Sequence, residues 1–269
     1  MAADGAAWVE AVELTKRYGG VLALDGASLS VRAGEIRGLV GANGAGKSTL
    51  VKCLTGMVQP SAGMVLVDGR ALPLGRPVES LRHGLVSVPQ ELTVAPTMTV
   101  AENVMLGHEP RGRLGRLRER DLRRSAEAAL ASLSFDIPVH VPVGQLPLLE
   151  QRLVMIARAL SYRPRLAIFD EPTATLSPVE AQRLRESIRR LAEQEVSVLY
   201  VSHDLGEVEE LCDAVTVLRD GRVVADLERK QATHRALVGL LAPDEEAGQA
   251  LAAAREPAGE ADVVLDARN

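Results

Sequence analysis

The feature that most constrains this chain is a glycine-rich stretch at residues 36–57, which reads IRGLVGANGAGKSTLVKCLTGM. The apolar run before the glycines is typical of a short strand, and the apolar spacing after them is typical of an amphipathic helix. Glycines allow backbone turns that are closed to residues with a Cβ, so successive N–H groups can point inward at a polyphosphate. The N-terminus of the following helix adds a favourable dipole. The stretch therefore predicts a phosphate-binding loop between a strand and a helix.

The same stretch matches the P-loop pattern G-x-x-x-x-G-K-[ST] in register. In that pattern the Lys47 ammonium reaches the β- and γ-phosphates of a nucleotide, and the Ser48 hydroxyl suits a Mg²⁺ ligand. Only four of the 31 basic residues are lysines, so a lysine at this position is hard to ascribe to chance. A glycine turn that binds nothing would need neither side chain. The predicted nucleotide-binding residues of the loop are Gly41, Ala42, Asn43, Gly44, Ala45, Gly46, Lys47, Ser48 and Thr49.

The composition is that of an ordinary soluble globular protein, with 46% apolar and 25% charged residues among 269. This length allows one large α/β core or two modest ones. No apolar run approaches the ~18 residues of a membrane span and the N-terminus lacks a signal-peptide pattern, so we expect a cytosolic protein. The formal net charge of −5 gives no electrostatic case for nucleic acid. The two cysteines, Cys53 and Cys212, are far apart and are expected to be reduced and buried.

Two polar side chains near predicted strands are candidates for ligand contacts. The alternating runs VEAVEL and ASLSV predict antiparallel strands before the P-loop strand, and Tyr18 lies between them in a predicted turn. Its ring could stack on a nucleotide base or lie half-buried in a loop. A further buried strand is predicted at residues 84–89, directly before Gln90. The end of a parallel strand is a good place for a ligand contact, although an isolated glutamine is more often an ordinary loop residue.

Two carboxylates end the predicted buried strand at residues 165–171. Asp170 can hold the Mg²⁺ shell, and Glu171 can orient or deprotonate a water for attack on a γ-phosphate. The predicted strand at residues 196–201 is followed by Ser-His-Asp, which places His203 along the same crevice. Its imidazole can donate a hydrogen bond to the γ-phosphate or to the attacking water. The predicted catalytic residues are Lys47, Glu171 and His203, and Ser48 and Asp170 are predicted Mg²⁺ ligands.

The character of the sequence changes near residue 91. Strand-type runs disappear there, and apolar residues at helical spacing in residues 100–107 and 121–133 predict helices. We predict that residues 91–160 form a helical subdomain inserted in the α/β core of a domain that spans residues 1–242.

The C-terminal part of the chain differs again in composition. Residues 243–260 are rich in Ala, Glu and Gly without periodicity, and are predicted to be a linker. Residues 261–269 become apolar once more, and Leu265-Asp266-Ala267 echoes Val9-Glu10-Ala11. We therefore predict that this segment begins a second, truncated domain of the same kind.

With Tyr18, the P-loop, Gln90, Asp170-Glu171 and His203 in this order, the sequence resembles the nucleotide-binding subunits of ABC transporters from about residue 8 to residue 241. The resemblance implies an α/β fold, a P-loop NTPase of ABC type with a mainly parallel core sheet, an N-terminal antiparallel β-subdomain and a helical subdomain. It also implies ATP and Mg²⁺ as ligands. By this resemblance Tyr18 stacks on adenine, and Gln90 binds Mg²⁺ and links it to a membrane partner. Glu171 and His203 then serve hydrolysis.

Four stretches resemble more narrowly the first half of the tandem ATP-binding proteins of monosaccharide importers of the ribose, galactose and xylose type. They are GGVLALDGASL, NGAGKSTLVKCLTG, DEPTATL and VSHDLGEVEELCDAVTVLRDG. The resemblance implies an ATP-hydrolysing subunit that powers monosaccharide import from the cytoplasmic face of the cell membrane. The implied partners are ABC transporter membrane subunits, a second nucleotide-binding domain and, indirectly, a sugar-binding protein, with no nucleic acid.

One segment departs from the family pattern. The family's signature loop L-S-G-G-Q falls on residues 146–150, where Pro147 replaces the serine and Leu149 replaces the second glycine. Proline offers neither a hydroxyl nor an N–H, and leucine limits how closely the backbone can approach a phosphate. Ser177 also stands where an aspartate is common. We expect this chain to cap a partner's ATP poorly, which favours asymmetric pairing with a different domain over a homodimer.

Two other classes of function remain open on the sequence. A soluble ABC-type ATPase acting on ribosomes or DNA usually carries coiled-coil insertions or long basic linkers, and neither is visible in this sequence. A regulatory nucleotide-binding domain with weak hydrolysis agrees with the altered signature loop. Glu171 argues against that second class, because its carboxylate would be unnecessary for binding alone.

Overall fold

The computed structural model describes residues 7–110 and 117–242, which form ten strands and eight helices. The strands are β1 (Ala7–Tyr18), β2 (Val21–Arg32), β3 (Ile36–Val40), β4 (Ala62–Val67), β5 (Arg70–Ala71), β6 (Leu85–Val88), β7 (Leu166–Asp170), β8 (Ser197–Val201), β9 (Ala214–Arg219) and β10 (Arg222–Glu228). The helices are α1 (Lys47–Leu54), α2 (Pro77–Arg82), α3 (Val100–Val104), α4 (Glu119–Ser132), α5 (Leu148–Ser161), α6 (Pro178–Glu193), α7 (Leu205–Leu211) and α8 (His234–Leu241). A 3₁₀ turn at Val143–Gln145 precedes α5. The predicted linker at residues 243–260 and the predicted domain start at 261–269 lie outside the described residues.

The N-terminal sheet has the order β2-β1-β4-β5 and is antiparallel throughout. The alternation seen in the sequence is the reason, since one face of each strand packs on the core and the other meets solvent. Tyr18 corrects one expectation, because it is the last residue of β1 and pairs with Val21. The turn itself consists of Gly19 and Gly20, and Gly19 adopts a positive φ of 55°. That conformation is open to glycine, so Tyr18 can complete the strand.

The core sheet has the order β10-β9-β3-β8-β7-β6, and only β10 runs antiparallel to its neighbour. Every residue of β3 and of β8 is buried, as expected for central parallel strands covered on both faces. Because the strands are parallel, the residues that follow β3, β6, β7 and β8 all emerge at one edge of the sheet. The predicted fold class is confirmed.

Helices α3, α4 and α5 pack on one another and carry part of the larger hydrophobic cluster. They lie between residues 100 and 161, which overlaps the helical subdomain that the sequence predicts at residues 91–160. Ser177 is the N-cap residue of α6, and its hydroxyl accepts from the Glu180 N–H while the Glu180 carboxylate accepts from the Ser177 N–H. This capping box gives the serine a role in starting the helix.

No helix in the described part of the chain is long and apolar enough to cross a bilayer. Cys53 and Cys212 are free and buried, which confirms the sequence expectation. Burial raises the pKa of the Cys53 thiol to about 11, so the thiol stays protonated and unreactive at neutral pH.

Candidate functional site

The P-loop is held between β2 and β9, and two of its glycines leave no room for a side chain. A Cβ on Gly46 would lie 2.5 Å from the carbonyl oxygen of Ala23, and Gly46 has a φ of 108°. A Cβ on Gly41 would collide with the carbonyl oxygen of Leu218. The Gly221 N–H donates to the Ala45 carbonyl at 2.9 Å and fastens the loop to the turn after β9. The loop is therefore a rigid cradle, which is what polyphosphate binding requires.

Lys47 is the first residue of α1, and its side chain lies inside the P-loop. Its Nζ donates to the carbonyls of Gly41, at 2.6 Å, and Ala42, at 3.1 Å. Burial lowers the pKa of the Lys47 ammonium, and the negative charges of Glu171 and Asp170 oppose that shift. The next residue, Ser48, is exposed, with its hydroxyl in the first turn of α1. The Lys47 ammonium and the Ser48 hydroxyl thus both lie where the P-loop meets the N-terminus of α1.

The Glu171 carboxylate contacts side chains that follow two other strands of the core sheet. The Gln90 amide donates from Nε2 to Oε2 of Glu171 at 3.0 Å, and Nδ1 of His203 lies 3.0 Å from Oε1. The Glu171 N–H donates to the Val201 carbonyl at the end of β8. Its φ of 45° is uncommon for a residue with a side chain and marks a strained position that the surroundings hold. The structure therefore brings together three residues that the sequence placed at the ends of β6, β7 and β8.

Asp170 ends β7, half-buried beside Glu171. Burial and the Glu171 carboxylate raise the pKa of Asp170, and the ammonium groups of Lys47 and Lys52 oppose that shift. A carboxylate in this environment is poised to gain from a cation that neutralises it.

The donor set at this edge fits Mg²⁺. Within the described ranges, no group of three or more His, Cys, Asp or Glu side chains could hold a metal alone. Mg²⁺ prefers oxygen ligands and usually keeps only one or two carboxylates, completing its shell with hydroxyls, amides, water and substrate phosphates. The Asp170 carboxylate, the Ser48 hydroxyl and the Gln90 amide oxygen are groups of these kinds.

Tyr18, the predicted base-stacking residue, lies at the tip of the β1–β2 hairpin and is 45% exposed. The Lys16 Nζ lies 5.0 Å from the centre of its ring, within cation–π range. Strand β2 continues from this tip to Ala23, whose carbonyl lies against Gly46. An exposed aromatic face on the element that supports the P-loop agrees with a stacking role, which stays a prediction.

Glu207 is a site residue that the sequence analysis missed. Its carboxylate accepts from the hydroxyls of Thr173, at 2.7 Å, and Tyr200, at 2.8 Å, and from Arg185 at 2.9 Å. It thereby anchors the segment that follows Glu171 to α7. Glu171, His203 and Glu207 line one groove of about 600 Å³. The sequence offers one indication of this role, because Glu207 lies four residues after His203. Helix α7, with seven residues, is too short to be predicted from periodicity.

Residues 146–150, where the sequence analysis places the family's signature loop, lead into the first turn of α5. Pro147 is the N-cap residue and makes no side-chain cap hydrogen bond. Leu149 is only 7% exposed and belongs to the larger hydrophobic cluster, whereas Leu148 is 42% exposed. Leu149 therefore fills the interior, where the family's glycine would present backbone.

Comparison with known proteins places these features in one family. Residues 24–174, more than half of the chain, match the sequence profile described as ABC transporter. The ribose import ATP-binding protein of Chelativorans sp. (strain BNC1) is 41% identical over 234 residues, covering 87% of this chain and 46% of that protein. The protein of the same name from Corynebacterium glutamicum is 42% identical over 224 residues, covering 83% and 43%. The chain thus spans less than half the length of these relatives.

Solved structures agree with the sequence relatives. One described as an ATP-binding cassette of an ABC transporter superposes with a TM-score of 0.79 at 25% identity, covering 91% of this chain and 99% of that chain. A mainly parallel sheet with a P-loop after β3 and carboxylates after β7 defines a nucleotide-binding P-loop protein. The chain belongs to the ABC transporter family. The resemblance drawn from its motifs is confirmed, and the names of the relatives also support the narrower resemblance to monosaccharide importers.

Proposed function

We propose that this chain binds ATP in its P-loop and hydrolyses it with Glu171 as the general base, as part of a monosaccharide importer. The observation that carries the proposal is the Glu171 carboxylate, held by Gln90 on one oxygen and by His203 on the other, at the sheet edge that also bears the P-loop. A carboxylate fixed in this way can accept a proton from a water without first reorienting.

Each side chain at this edge has a defined task in the hydrolysis. Lys47 places an ammonium against the β- and γ-phosphates, and the N–H groups of the P-loop surround them. Glu171 orients the attacking water and accepts its proton. His203 holds the Glu171 carboxylate and can donate to the γ-phosphate oxygens as negative charge develops there.

Mg²⁺ would be held by Ser48, Gln90 and Asp170. Bound there, the ion would neutralise charge on the β- and γ-phosphates. The Gln90 amide uses its Nε2 for Glu171, so its Oε1 is the atom suited to a cation. Gln90 would then link the metal to the base directly, and movement of this residue would affect both.

The transport assignment rests on the relatives, which are named as ribose import ATP-binding proteins. We infer that this chain acts on the cytoplasmic face of a membrane, with membrane subunits that carry the sugar and a sugar-binding protein that delivers it. Tyr18 stacks on the adenine in this proposal.

We further infer that the chain pairs with a different nucleotide-binding domain. Pro147 offers no hydroxyl or N–H to a partner's ATP, and Leu149 is committed to the core. Two copies of this chain would form two sites with a complete P-loop and an incomplete signature loop. A partner with serine and glycine in its own signature loop would complete one site.

The test is ATP turnover against protein concentration, for this chain alone and mixed with a nucleotide-binding domain that has an intact signature loop. Lys47→Ala serves as the inactive variant, and Lys230→Ala, which changes an exposed lysine far along the chain, as its matched control. We expect little turnover alone, and turnover in the mixture that Lys47→Ala removes and Lys230→Ala leaves intact. Full turnover by the chain alone would overturn the asymmetric pairing.

A regulatory nucleotide-binding domain is the second candidate, and the altered signature loop favours it. In that case the chain would bind ATP, Lys47→Ala would abolish binding, and no partner domain would restore hydrolysis. The same mixture therefore distinguishes the two functions.

A further inference from the structure

Arg152 lies in α5 with only 4% of its surface exposed, yet its guanidinium reaches two segments outside the helix. Its Nη2 donates to the Thr175 hydroxyl at 2.6 Å, and its Nη1 donates to the Gln90 carbonyl at 3.3 Å. Thr175 follows β7, and Gln90 follows β6. The Arg152 side chain thus joins α5 to the segment after β6 and to the segment after β7.

This guanidinium is buried without a counter-charge. Among residues 7–110 and 117–242, Arg152 makes no ion pair, and its Nε has no hydrogen-bond partner. Burial removes the guanidinium from water and so lowers the pKa of Arg152. Buried charges are normally paired, because removing a charge from water is costly. Packing of α5 alone would be served better by an apolar side chain, so the arginine points to a role in the two contacts that it makes.

Both contacts lead to Glu171. Thr175 lies four residues beyond Glu171 on the same segment, and the Gln90 side chain donates directly to the Glu171 carboxylate. Helix α5 in turn packs on α3 and α4. A shift of α5 would therefore move both supports of the base at once.

We propose that Arg152 is a positioning residue that sets the orientation of the Glu171 carboxylate according to the placement of α5. The proposal rests on the proposed ATPase function for its kinetic consequences. It assigns to Arg152 a role in turnover rather than in nucleotide affinity, because none of its contacts is with the P-loop.

Arg158 provides the matched control on the same helix. Its guanidinium donates to the carbonyls of Asn103, at 2.7 Å, and Thr93, at 2.8 Å, and to the Asn103 side chain. It therefore fastens α5 to α3 and the segment before it, and makes no contact with the segment after Glu171. The Arg158→Met variant therefore measures the effect of removing a partly buried guanidinium from α5 without touching the segment after Glu171.

The experiment compares Arg152→Met, Arg152→Lys, Thr175→Val and Arg158→Met in the mixture with an intact partner domain. We expect Arg152→Met to lower kcat roughly 10- to 100-fold through misplacement of the base, with KM for ATP within about twofold. Arg152→Lys should restore part of kcat, and Thr175→Val should lower it less than Arg152→Met. Arg158→Met should lower the melting temperature while keeping kcat within about threefold.

Hydrogen exchange on the single chain gives a readout that needs no activity. Backbone amides at residues 171–177 should exchange faster in Arg152→Met and Thr175→Val than in the wild type or Arg158→Met. Thr175 is exposed, so Thr175→Val keeps the test valid if Arg152→Met fails to fold. Unchanged exchange at 171–177 in both Thr175→Val and Arg152→Met, or in Thr175→Val alone if Arg152→Met fails to fold, would overturn the role of Arg152. An equal loss of kcat in Arg158→Met would overturn it as well. If the wild-type mixture is inactive, the ATPase function fails, and the exchange result alone decides the positioning.

Discussion

Asp170 and Glu171 are adjacent acids whose different surroundings suit different tasks. Both Glu171 oxygens have partners, Gln90 and His203, so its orientation is set in advance. Asp170 has its pKa raised by burial and by the neighbouring carboxylate, so its ionised form is held at a cost. Two adjacent carboxylates in different surroundings can have different roles, one as the general base and the other as a cation ligand. In the proposed function, Glu171 accepts the proton of the attacking water and Asp170 is a ligand of Mg²⁺.

The raised pKa of Asp170 predicts a gain in stability from Asp170→Asn at neutral pH. A raised native pKa means that the folded protein favours the protonated carboxyl. The stability that protonation provides is present below the ordinary carboxyl pKa and is lost as pH rises through the raised pKa. Asparagine carries no charge to lose, so Asp170→Asn should unfold at higher urea than the wild type at pH 7. This difference in unfolding midpoint should shrink as pH falls towards 4. The Asp170→Asn variant should also lose Mg²⁺-dependent turnover.

Urea unfolding followed by circular dichroism at pH 7 and pH 5 measures this difference. The matched control is Asp136→Asn, which neutralises an exposed aspartate and should leave the unfolding midpoint unchanged. A lower midpoint for Asp170→Asn at pH 7 would mean that the electrostatic attraction between Asp170 and Lys47 outweighs the cost of burying the carboxylate, contrary to this account.

The start of α5 carries the residues that the sequence analysis aligns with the family's signature loop. Pro147 caps the helix, and Leu149 turns into the hydrophobic cluster while Leu148 stays at the surface. Leu149 therefore contributes to the packing of α5. A single change back to glycine would remove core volume as well as restore the family residue.

Leu149→Gly should accordingly destabilise the protein by about 2–5 kcal/mol, the usual cost of emptying a buried leucine site. Leu148→Gly, one residue earlier and largely exposed, should cost no more than about 1 kcal/mol for the glycine itself. Chemical denaturation of both variants tests this difference. Equal costs would show that Leu149 contributes nothing to the core.

The sequence predicted most elements because their patterns are local. Apolar runs predict the strand before the P-loop, the strand that ends in Asp170 and the strand before His203, and helical spacing predicts α1 and α4. Helices α2 and α7, with six and seven residues, are too short for a period to show. Their existence depends on tertiary packing rather than on a pattern in their own residues.

Some residues of the candidate site could also be predicted from the sequence, and others could not. The sequence predicts that Glu171 and His203 lie close together, because parallel strands deliver their ends to one edge. It predicts Lys47 from the P-loop pattern. Arg152 and Glu207 could not, because their partners Thr175 and Thr173 are joined to them only in the folded chain. Tyr18 lies beyond the alternating run VEAVEL, so the sequence predicts it in a turn, whereas Gly19 and Gly20 form the turn alone.

At the scale of the whole molecule, the proposed function gives this chain the P-loop half of one nucleotide site and an incomplete signature half of another. The chain spans less than half the length of the curated relatives that it matches. In an asymmetric pair, ATP on this chain's P-loop would meet the partner's intact signature loop. ATP on the partner would meet Pro147 and Leu149. Only the first of these sites should turn over well.

Turnover of the mixed pair with the catalytic glutamate replaced on one side at a time tests this claim most directly. Glu171→Gln in this chain should lower turnover roughly 10²–10⁴-fold, because it removes the positioned base of the competent site. The corresponding Glu→Gln change in the partner should leave most of the turnover, since that site is already capped poorly. If Glu171→Gln leaves turnover intact and the partner's change abolishes it, ATP is hydrolysed on the partner, and the central account of this chain is wrong.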